Sequence, residues 1–488
     1  MAEQSLKDKT VKGTFWSAAD AFLGQGVTFI VGIVLARLLT PDEYGLIGIC
    51  LIFNTVLNGI VDSGFSNALI RKKDCSNEDY NTMFITNMII SIMLYLILYF
   101  SSPLIARFFG REELAILIRV TGLVLIFNAL SLTQQTVLSK RIDFKTKTKA
   151  SVFSALISGI IGIGMAYEGF GVWSLVGQLI SRQLVSTICL WVLNKWWPTF
   201  VFSIVSFRYM WGFGWKLLVS GLLNNVWSQL YQIVVGKFYS PATLGQYTRS
   251  RQFAALFSEN LTSIIQRVSF PVLSEIQDEE VRMVAAYRQV VKVSMFITVP
   301  VLFTLGAVSE PFIYCLIGPQ WHEAASFLPL ICISLSMYPL HAINLNMLQV
   351  LGRSDIFLYL EIIKKFLAVI PICIGIFVSI YWMLIASIIL GVVNFFLNSW
   401  YTGKKLGYTS FNQISDFSSS LLLGSFMALS VYFIKYLPFN NWIILTLQII
   451  ISVVVFFTYC EFRHLEEYDI IKKIVKTYIH KFSLVSTK

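Results

Sequence analysis

Charged side chains are scarce in this sequence. Asp, Glu, Lys and Arg make up 13% of the 488 residues, about half of the roughly 25% that is usual in globular proteins. Apolar residues make up 56%, and the mean hydropathy is +0.70. So few charges cannot cover a water-soluble particle of 55.4 kDa, which excludes a soluble enzyme and a disordered scaffold. The composition is that of a membrane protein with many spans.

Residues that build catalytic or metal sites are also few. The seven cysteines are odd in number and never spaced CxxC, so neither a disulfide framework nor a zinc site is indicated. The four histidines are scattered, with no spacing typical of a metal site. No GxxxxGK[ST] motif is present, which excludes a P-loop. We therefore predict no catalytic residue, no metal and no cofactor, apart from a coupling Na⁺ or H⁺.

Long apolar runs follow one another to the end of the chain. A segment of roughly 17–25 residues crosses the ~30 Å hydrocarbon layer, and the sequence predicts fourteen such spans in an all-α polytopic membrane protein. The first run is too long for a signal peptide and is interpreted as a retained span. The approximate bounds are 13–38, 41–62, 81–102, 114–138, 150–167, 170–194, 209–236, 246–269, 287–309, 322–350, 357–379, 381–402, 414–436 and 441–461.

Lysine and arginine are distributed unevenly between alternate loops. With the N-terminus inside, most of the 38 Lys and Arg residues fall in inner segments. Basic loops stay on the cytoplasmic side, so an even number of spans and two cytoplasmic termini are predicted. The same asymmetry accounts for the net charge of +11 without a nucleic-acid partner. The outer loops and the adjoining span ends hold only Arg37, Arg107, Arg111, Lys237 and Lys435.

Two blocks of the sequence recur in the same order. In the first block, Pro41 and Gly45 align with Pro241 and Gly245. In the second block, the segment 137–140 is predicted to align with 350–353, and Phe144 with Phe357. Each block occupies the same place in a unit of six spans, which indicates a duplication.

The duplication predicts the domain organisation. Six spans are an even number, so both halves have the same orientation and are related by a pseudo-two-fold axis along the membrane normal. We expect an N-lobe of six spans (residues 1–194), a C-lobe of six spans (195–403), and a remainder (404–488) with two extra spans and a cytoplasmic tail. Two such lobes leave a cleft in which a transported solute can bind.

Several short motifs resemble those of a known family. They are Thr40-Pro41-Asp42-Glu43-Tyr44-Gly45, Asp62-Ser63-Gly64-Phe65-Ser66, Lys140-Arg141-Ile142-Asp143-Phe144-Lys145, Ser240-Pro241 with Leu244-Gly245-Gln246-Tyr247, Phe270-Pro271-Val272-Leu273-Ser274, and Leu351-Gly352-Arg353-Ser354-Asp355. In this order they are similar to the polysaccharide-exporting flippases (Wzx or WzxC type) of the multidrug/oligosaccharidyl-lipid/polysaccharide superfamily. The resemblance covers essentially the whole chain.

The resemblance implies a function. Family members move an undecaprenyl-pyrophosphate-linked oligosaccharide between the leaflets of the bacterial cytoplasmic membrane by alternating access, for surface polysaccharide biosynthesis. The implied partners are this lipid-linked oligosaccharide, membrane lipids, and polysaccharide polymerase or assembly proteins. Burying one unpartnered hydroxyl in hydrocarbon costs roughly 4–8 kcal/mol. A glycan therefore needs a polar cavity, with cations that meet its phosphates.

Some cations and amides within the predicted spans are suited to such a cavity. Arg or Lys at mid-bilayer costs ~2.5–3.5 kcal/mol, and Arg182 lies in the middle of its span. At 100° per residue the other candidates also share helix faces. The alternatives are snorkelling or an internal ion pair for the cations, and interhelical hydrogen bonds for the amides. The cavity candidates are Arg182 with Gln178, Lys216 with Asn224, and Arg249 with Asn260 and Arg267.

Three acidic residues within predicted spans are candidates for ion coupling. They are Asp20, Asp62 and Glu259. A carboxylate in this environment binds a proton or Na⁺, or it pairs with a nearby cation. The sequence leaves both interpretations open.

Two other functions suit a membrane protein with many spans. A multidrug exporter of the same superfamily usually has twelve spans, whereas fourteen spans and basic cavity candidates favour a lipid-linked glycan. A membrane glycan polymerase or ligase is expected to show a large outer loop, or a buried His with a carboxylate partner. His341 is the only mid-span histidine, and no acidic residue lies within a helical turn of it. The enzyme interpretation is therefore disfavoured.

Overall fold

The chain is helical wherever its structure is described. The computed structural model describes residues 23–62 and 64–473, and no strand occurs among them. Ten helical segments of this part of the chain are long and apolar enough to cross a membrane. The predicted all-α membrane class is confirmed, whereas the count of fourteen spans stays a prediction.

The first compact unit ends at Gly245. Within it, α7 packs along α8, α4 and α8 pack on α6, and α9 packs on α2. Its helices are α1 (Leu23–Leu38), α2 (Pro41–Asp62), α3 (Phe65–Arg71), α4 (Asn77–Phe109), α5 (Leu114–Thr121), α6 (Leu123–Lys140), α7 (Phe144–Tyr167), α8 (Val172–Asn194) and α9 (Ile204–Phe238).

The second compact unit begins at Gln246. Its central helix α11 packs on α13, α14 and α18. The lobe boundaries expected at residues 194/195 and 403/404 stay predictions. Most of α10 (Pro241–Glu275) lies in this unit, and its first turn lies in the first unit. The other helices are α11 (Glu280–Ala307), α12 (Ser309–Leu316), α13 (His322–Ser336), α14 (Tyr338–Val350), α15 (Ser354–Leu367), α16 (Val369–Phe377), α17 (Ile380–Leu406), α18 (Ser410–Tyr432) and α19 (Asn441–Arg463).

Three predicted spans contain a break. The span 114–138 divides into α5 and α6 at Gly122, and 322–350 divides into α13 and α14 just before Pro339. The span 357–379 divides into α15 and α16, with Pro371 in the first turn of α16. Proline has no N–H to donate, so it is tolerated in a first turn and ends the helix before it.

The helices α9 and α10 are long but comparatively polar. Each has 35 residues, and neither belongs to the ten apolar segments among the described residues. They correspond to the predicted spans 209–236 and 246–269. A long helix that carries polar residues in a membrane must turn them towards protein or water.

The first repeated block forms two turns that contact each other. Thr40 and Ser240 cap α2 and α10, since their hydroxyls accept the backbone N–H groups of Glu43 and Thr243. A Cβ added to Gly45 would overlap the carbonyl group of Pro241, and one added to Gly245 would overlap that of Pro41. The contact is reciprocal, because each of the two glycines lies against the proline of the other turn. The duplication itself stays a prediction.

The second repeated block has a different register from the predicted one. The N–H of Asp143 donates to the oxygen of Leu138, and that of Arg353 donates to the oxygen of Leu348. In both turns the residue before the donor has a positive φ, 58° in the first turn and 70° in the second. The structure therefore matches Leu138 with Leu348, and the predicted match of Leu138 with Leu351 was wrong. The predicted alignment rested on chance similarity between residues of the two segments. The hydrogen bonds of the two turns give the correct register.

Candidate functional site

The helix α8 carries Gln178 and Arg182 one turn apart on one face. A Cβ added to Gly162 of α7 would lie 2.9 Å from the Cβ of Gln178. Small residues allow such a close approach of two membrane helices. Gln178 therefore lies against α7, and Arg182 is half-buried.

A chain of amides on the neighbouring face was not predicted. The Gln183 Nε2 group lies 3.5 Å from Asn128 Oδ1, and Asn128 Nδ2 donates to Asn58 Oδ1 at 2.7 Å. This chain links α8, α6 and α2 within the first unit. The sequence shows Asn and Gln residues within the predicted spans, which indicates hydrogen bonds between helices. It does not show which residues pair, because the partners lie 55 to 70 positions apart in the sequence.

The helix α9 has one face against α2 and one exposed face. A Cβ on Gly59 of α2 would overlap the side-chain amide of Asn225, so Asn225 faces α2. Lys216 and Asn224 are exposed on α9. The Lys216 Nζ atom lies 6.0 Å from the ring centroid of Trp215. The two predicted residues thus share an accessible polar face.

Of the two acidic candidates in the first unit, Asp62 lies at the junction of α2 and α3. Asp62 ends α2, and its Oδ1 atom accepts a hydrogen bond from the Ser66 hydroxyl at 2.6 Å. Gly64, with φ at 70°, allows the chain to turn between the two helices there. Asp20 lies outside the described residues. Ion coupling through either residue stays a prediction.

The helix α10 carries the three candidates of the second unit. Arg249 Nη1 donates to Gln252 Oε1 at 2.7 Å. Asn260 Nδ2 donates to the carbonyl oxygen of Leu256 at 3.3 Å, and Arg267 is exposed. The helical spacing keeps all three along one side of α10.

Glu259 has a cationic partner on its own helix. Arg251 Nη2 lies 3.0 Å from Glu259 Oε1, and the two side chains are 35% and 38% exposed. The sequence suggested pairing for this carboxylate but did not identify Arg251. Coupling through Glu259 stays a prediction.

Glu259→Gln is expected to lower the free energy of unfolding by about 1 kcal/mol, because Arg251 loses its counter-charge. The double variant Arg251→Gln/Glu259→Gln should recover most of this loss. Thermal unfolding of the purified protein measures both effects. Loss of ion-dependent export by the double variant at wild-type abundance would instead indicate coupling.

An apolar groove lies beside α10 in the second unit. Its volume is about 750 Å³, and α10, α11, α12, α18 and α19 form its walls. An apolar groove of this kind accommodates hydrocarbon. The lining residues include Phe257, Phe296, Val301, Phe312, Met427 and Phe457.

A polar cluster around Asp416 holds α18 against α11. Arg288 makes a bidentate ion pair with Asp416, in which Nε donates to Oδ2 at 2.9 Å and Nη2 donates to Oδ1 at 2.8 Å. The Tyr408 hydroxyl donates to Asp416 Oδ2 at 2.7 Å. Next to it, Tyr287 donates to Asn344 Oδ1 at 2.6 Å. The predicted extra span is therefore packed firmly into the second unit.

An exposed ion pair lies at the start of α15. Arg353 donates to both carboxylate oxygens of Asp355, at 2.9 and 2.7 Å. These hydrogen bonds to Arg353 lower the pKa of Asp355 to about 2. The Asp355 carboxylate is therefore ionised at neutral pH, next to the turn between α14 and α15.

His341 has an amide neighbour. Its Nδ1 atom lies 3.5 Å from Asn398 Nδ2.

Two curated proteins of polysaccharide biosynthesis are similar to this chain over most of its length. The curated teichuronic acid biosynthesis protein TuaB of Bacillus subtilis is 25% identical over 409 residues, 81% of this chain and 83% of TuaB. The lipopolysaccharide biosynthesis protein WzxC of Escherichia coli is 24% identical over 374 residues, 76% of each chain.

A solved structure shares the fold. The lipid II flippase MurJ, in an inward closed conformation, matches with a TM-score of 0.71 and 17% identity, over 94% of this chain and 100% of that chain. The family described as "Polysaccharide biosynthesis protein" matches residues 34–326, more than half of the sequence. This chain is therefore an integral membrane protein of the polysaccharide biosynthesis protein family, as the motifs indicated.

Proposed function

We propose that this protein is a flippase that moves a lipid-linked oligosaccharide across the bacterial cytoplasmic membrane. The lipid is undecaprenyl pyrophosphate, and the cargo is delivered for assembly of a surface polysaccharide by a polymerase. Both termini lie in the cytoplasm. The names of the curated relatives and the fold shared with MurJ support this proposal.

The position of α10 carries the proposal. One side of this helix bears Arg249, Asn260 and Arg267, and the same helix contributes Phe257 to the apolar groove. An amphiphile with an anionic polar head and a long hydrocarbon tail matches this combination. The cations can meet the pyrophosphate, and the groove can hold part of the tail.

The energetic task is to keep the sugars in contact with polar groups throughout the crossing. Arg182 and Gln178 on α8 and Lys216 and Asn224 on α9 would replace water around the glycan. The prenyl tail does not need polar contacts, because it stays in hydrocarbon or in the apolar groove. Alternating access then exposes the polar faces to each side in turn.

The location of the accumulated intermediate tests the function. Deletion of the gene should leave complete lipid-linked repeat units in the cytoplasmic leaflet, where a glycan-specific label added to intact spheroplasts cannot reach them. Unpolymerised units accessible from outside would instead indicate a polymerase. Normal export, with loss of drug resistance alone, would indicate a multidrug exporter.

Arg182→Ala is expected to reduce export about tenfold, since one charge-assisted contact to the head group is lost. Polysaccharide at the cell surface, divided by the amount of protein in the membrane, measures the effect. Arg282→Ala is the matched control, because Arg282 forms only an exposed pair with Glu279. Equal export by both variants would exclude a cavity role for Arg182.

A further inference from the structure

A second cavity of the second unit lies apart from the polar side of α10. Its volume is about 720 Å³, and α11, α12, α13 and α18 surround it at the end where α11 and α18 finish and α13 begins. None of the nine predicted cavity and coupling residues that the structure describes lines it. The proposed transport cycle leaves it without a role.

The cavity is polar at one end and apolar along its length. From His322 at the rim to Ile333 on α13 the distance is about 16 Å at 1.5 Å per residue, close to the thickness of one hydrocarbon leaflet. Ile333 and Leu429 line the apolar part and are 40% and 59% exposed, so this part opens sideways. Polar residues at the rim and apolar residues below match the layers of a bilayer.

The rim presents one cation and one anion. Lys435 Nζ lies 3.7 Å from Glu310 Oε2, too far for a hydrogen bond, and the side chains are 20% and 50% exposed. The same Nζ lies 4.4 Å from the ring centroid of Tyr432 and 5.1 Å from that of Tyr436. The two rings position the lysine ammonium group, and the loose pair leaves both charges able to bind an inserted zwitterion.

We propose that this cavity binds one phospholipid whose head group carries a phosphate and a primary ammonium group. The phosphate accepts hydrogen bonds from Lys435, the ammonium group donates to Glu310, and the acyl chains lie between Ile333 and Leu429. Bound in this way, the lipid fills the space between α13 and α18.

The charge pattern selects against other common lipids. A choline head group has no N–H to donate to Glu310. A glycerol head group has no cation to offset the repulsion between its phosphate and that carboxylate. Since a charge-assisted hydrogen bond is roughly twice as strong as a neutral one, phosphatidylethanolamine should be retained about tenfold better than either.

Native mass spectrometry of the purified full chain tests the proposal. The protein is exposed in detergent to equal amounts of dioleoyl phosphatidylethanolamine, phosphatidylcholine and phosphatidylglycerol, and the retained lipids are counted. Glu310→Gln should remove the preference for phosphatidylethanolamine over phosphatidylcholine, and Lys435→Gln should weaken retention of all three. Lys292→Gln is the control, because Lys292 pairs with Glu466 away from the cavity, and it should behave as wild type.

Leu429→Trp provides a test that leaves the charges intact. The larger side chain should occupy the acyl-chain space and reduce phosphatidylethanolamine retention about tenfold. Glycerophosphoethanolamine, which lacks acyl chains, should not displace the lipid at equal concentration. Equal retention of the three lipids by wild type, a preference that survives Glu310→Gln, or displacement by the soluble head group would each overturn the proposal.

Discussion

Replacing Gly45 or Gly245 by alanine is expected to lower the free energy of unfolding by about 3 kcal/mol, the upper end of the usual range for overpacking. The added Cβ would overlap the backbone carbonyl group of Pro241 or Pro41. A backbone group cannot rotate away as the end of a side chain can, so the two helix-starting turns must separate. Thermal unfolding of the purified protein measures the loss.

Gly221→Ala is the matched control. Gly221 lies inside α9 in the same unit, and an added Cβ would meet no atom within 4 Å. Alanine is a better helix former than glycine, by about 1 kcal/mol, so this variant should be as stable as wild type or more stable. If Gly45→Ala unfolds at the same temperature as Gly221→Ala, the close contact does not exist in the folded protein.

The reciprocal geometry also predicts strong coupling between the two glycines. Once the turns have separated to accommodate one methyl group, the second methyl group meets less resistance. The double variant Gly45→Ala/Gly245→Ala should therefore lose much less than the sum of the two single losses. Additive losses would indicate that the two turns respond independently.

Replacing Asp416 by alanine is expected to lower the free energy of unfolding by about 2–3 kcal/mol. The Tyr408 hydroxyl group, in a side chain that is only 2% exposed, loses its acceptor. Arg288, whose side chain is 48% exposed, can turn towards water, which limits the cost of its lost partner. The midpoint of thermal unfolding provides the measurement.

The control is an exposed ion pair at the start of α11, the helix that carries Arg288. Arg282 and Glu279 lie 3.3 Å apart, with side chains 69% and 59% exposed. Glu279→Ala should change stability by less than about 0.5 kcal/mol, because water already screens this pair. If Asp416→Ala has as small an effect, the cluster does not hold α18 in place.

The Asp416 prediction also concerns function, since α18 lines both cavities of the second unit. Met427 faces the apolar groove, and Leu429 lies in the amphipathic cavity. Loosening α18 at its first turns should disturb the groove proposed for the prenyl tail. We expect export by Asp416→Ala to fall more than protein abundance does.

Helix positions were largely predictable, because a bilayer demands long apolar runs. The predicted span 41–62 coincides with α2. The predicted spans 150–167 and 170–194 correspond to α7 and α8, and the boundary between them lies near the predicted position. The breaks inside α13–α14 and α15–α16 were harder to place. Proline marks them in the sequence, but whether it kinks, ends or starts a helix depends on the packing around it.

Side-chain partners were much less predictable. Helical spacing placed Arg249, Asn260 and Arg267 along one side of α10, yet the partner of Glu259 proved to be Arg251, eight positions earlier. The hydrogen-bonded amide chain from Gln183 through Asn128 to Asn58 joins three helices. Periodicity describes one helix at a time, so it cannot identify contacts between helices.

The amino-acid sequence by itself indicated that this protein is helical, lies in a membrane and resembles a polysaccharide family, since charge scarcity, apolar run length and motif order are properties of the linear chain. Only the tertiary structure decided that the turns at Pro41 and Pro241 contact each other, and it also decided the register of the second repeated block. It alone showed that Lys435 and Glu310 lie close together at the rim of an apolar cavity. These features depend on the distance between groups that are remote along the chain. Helix packing sets that distance.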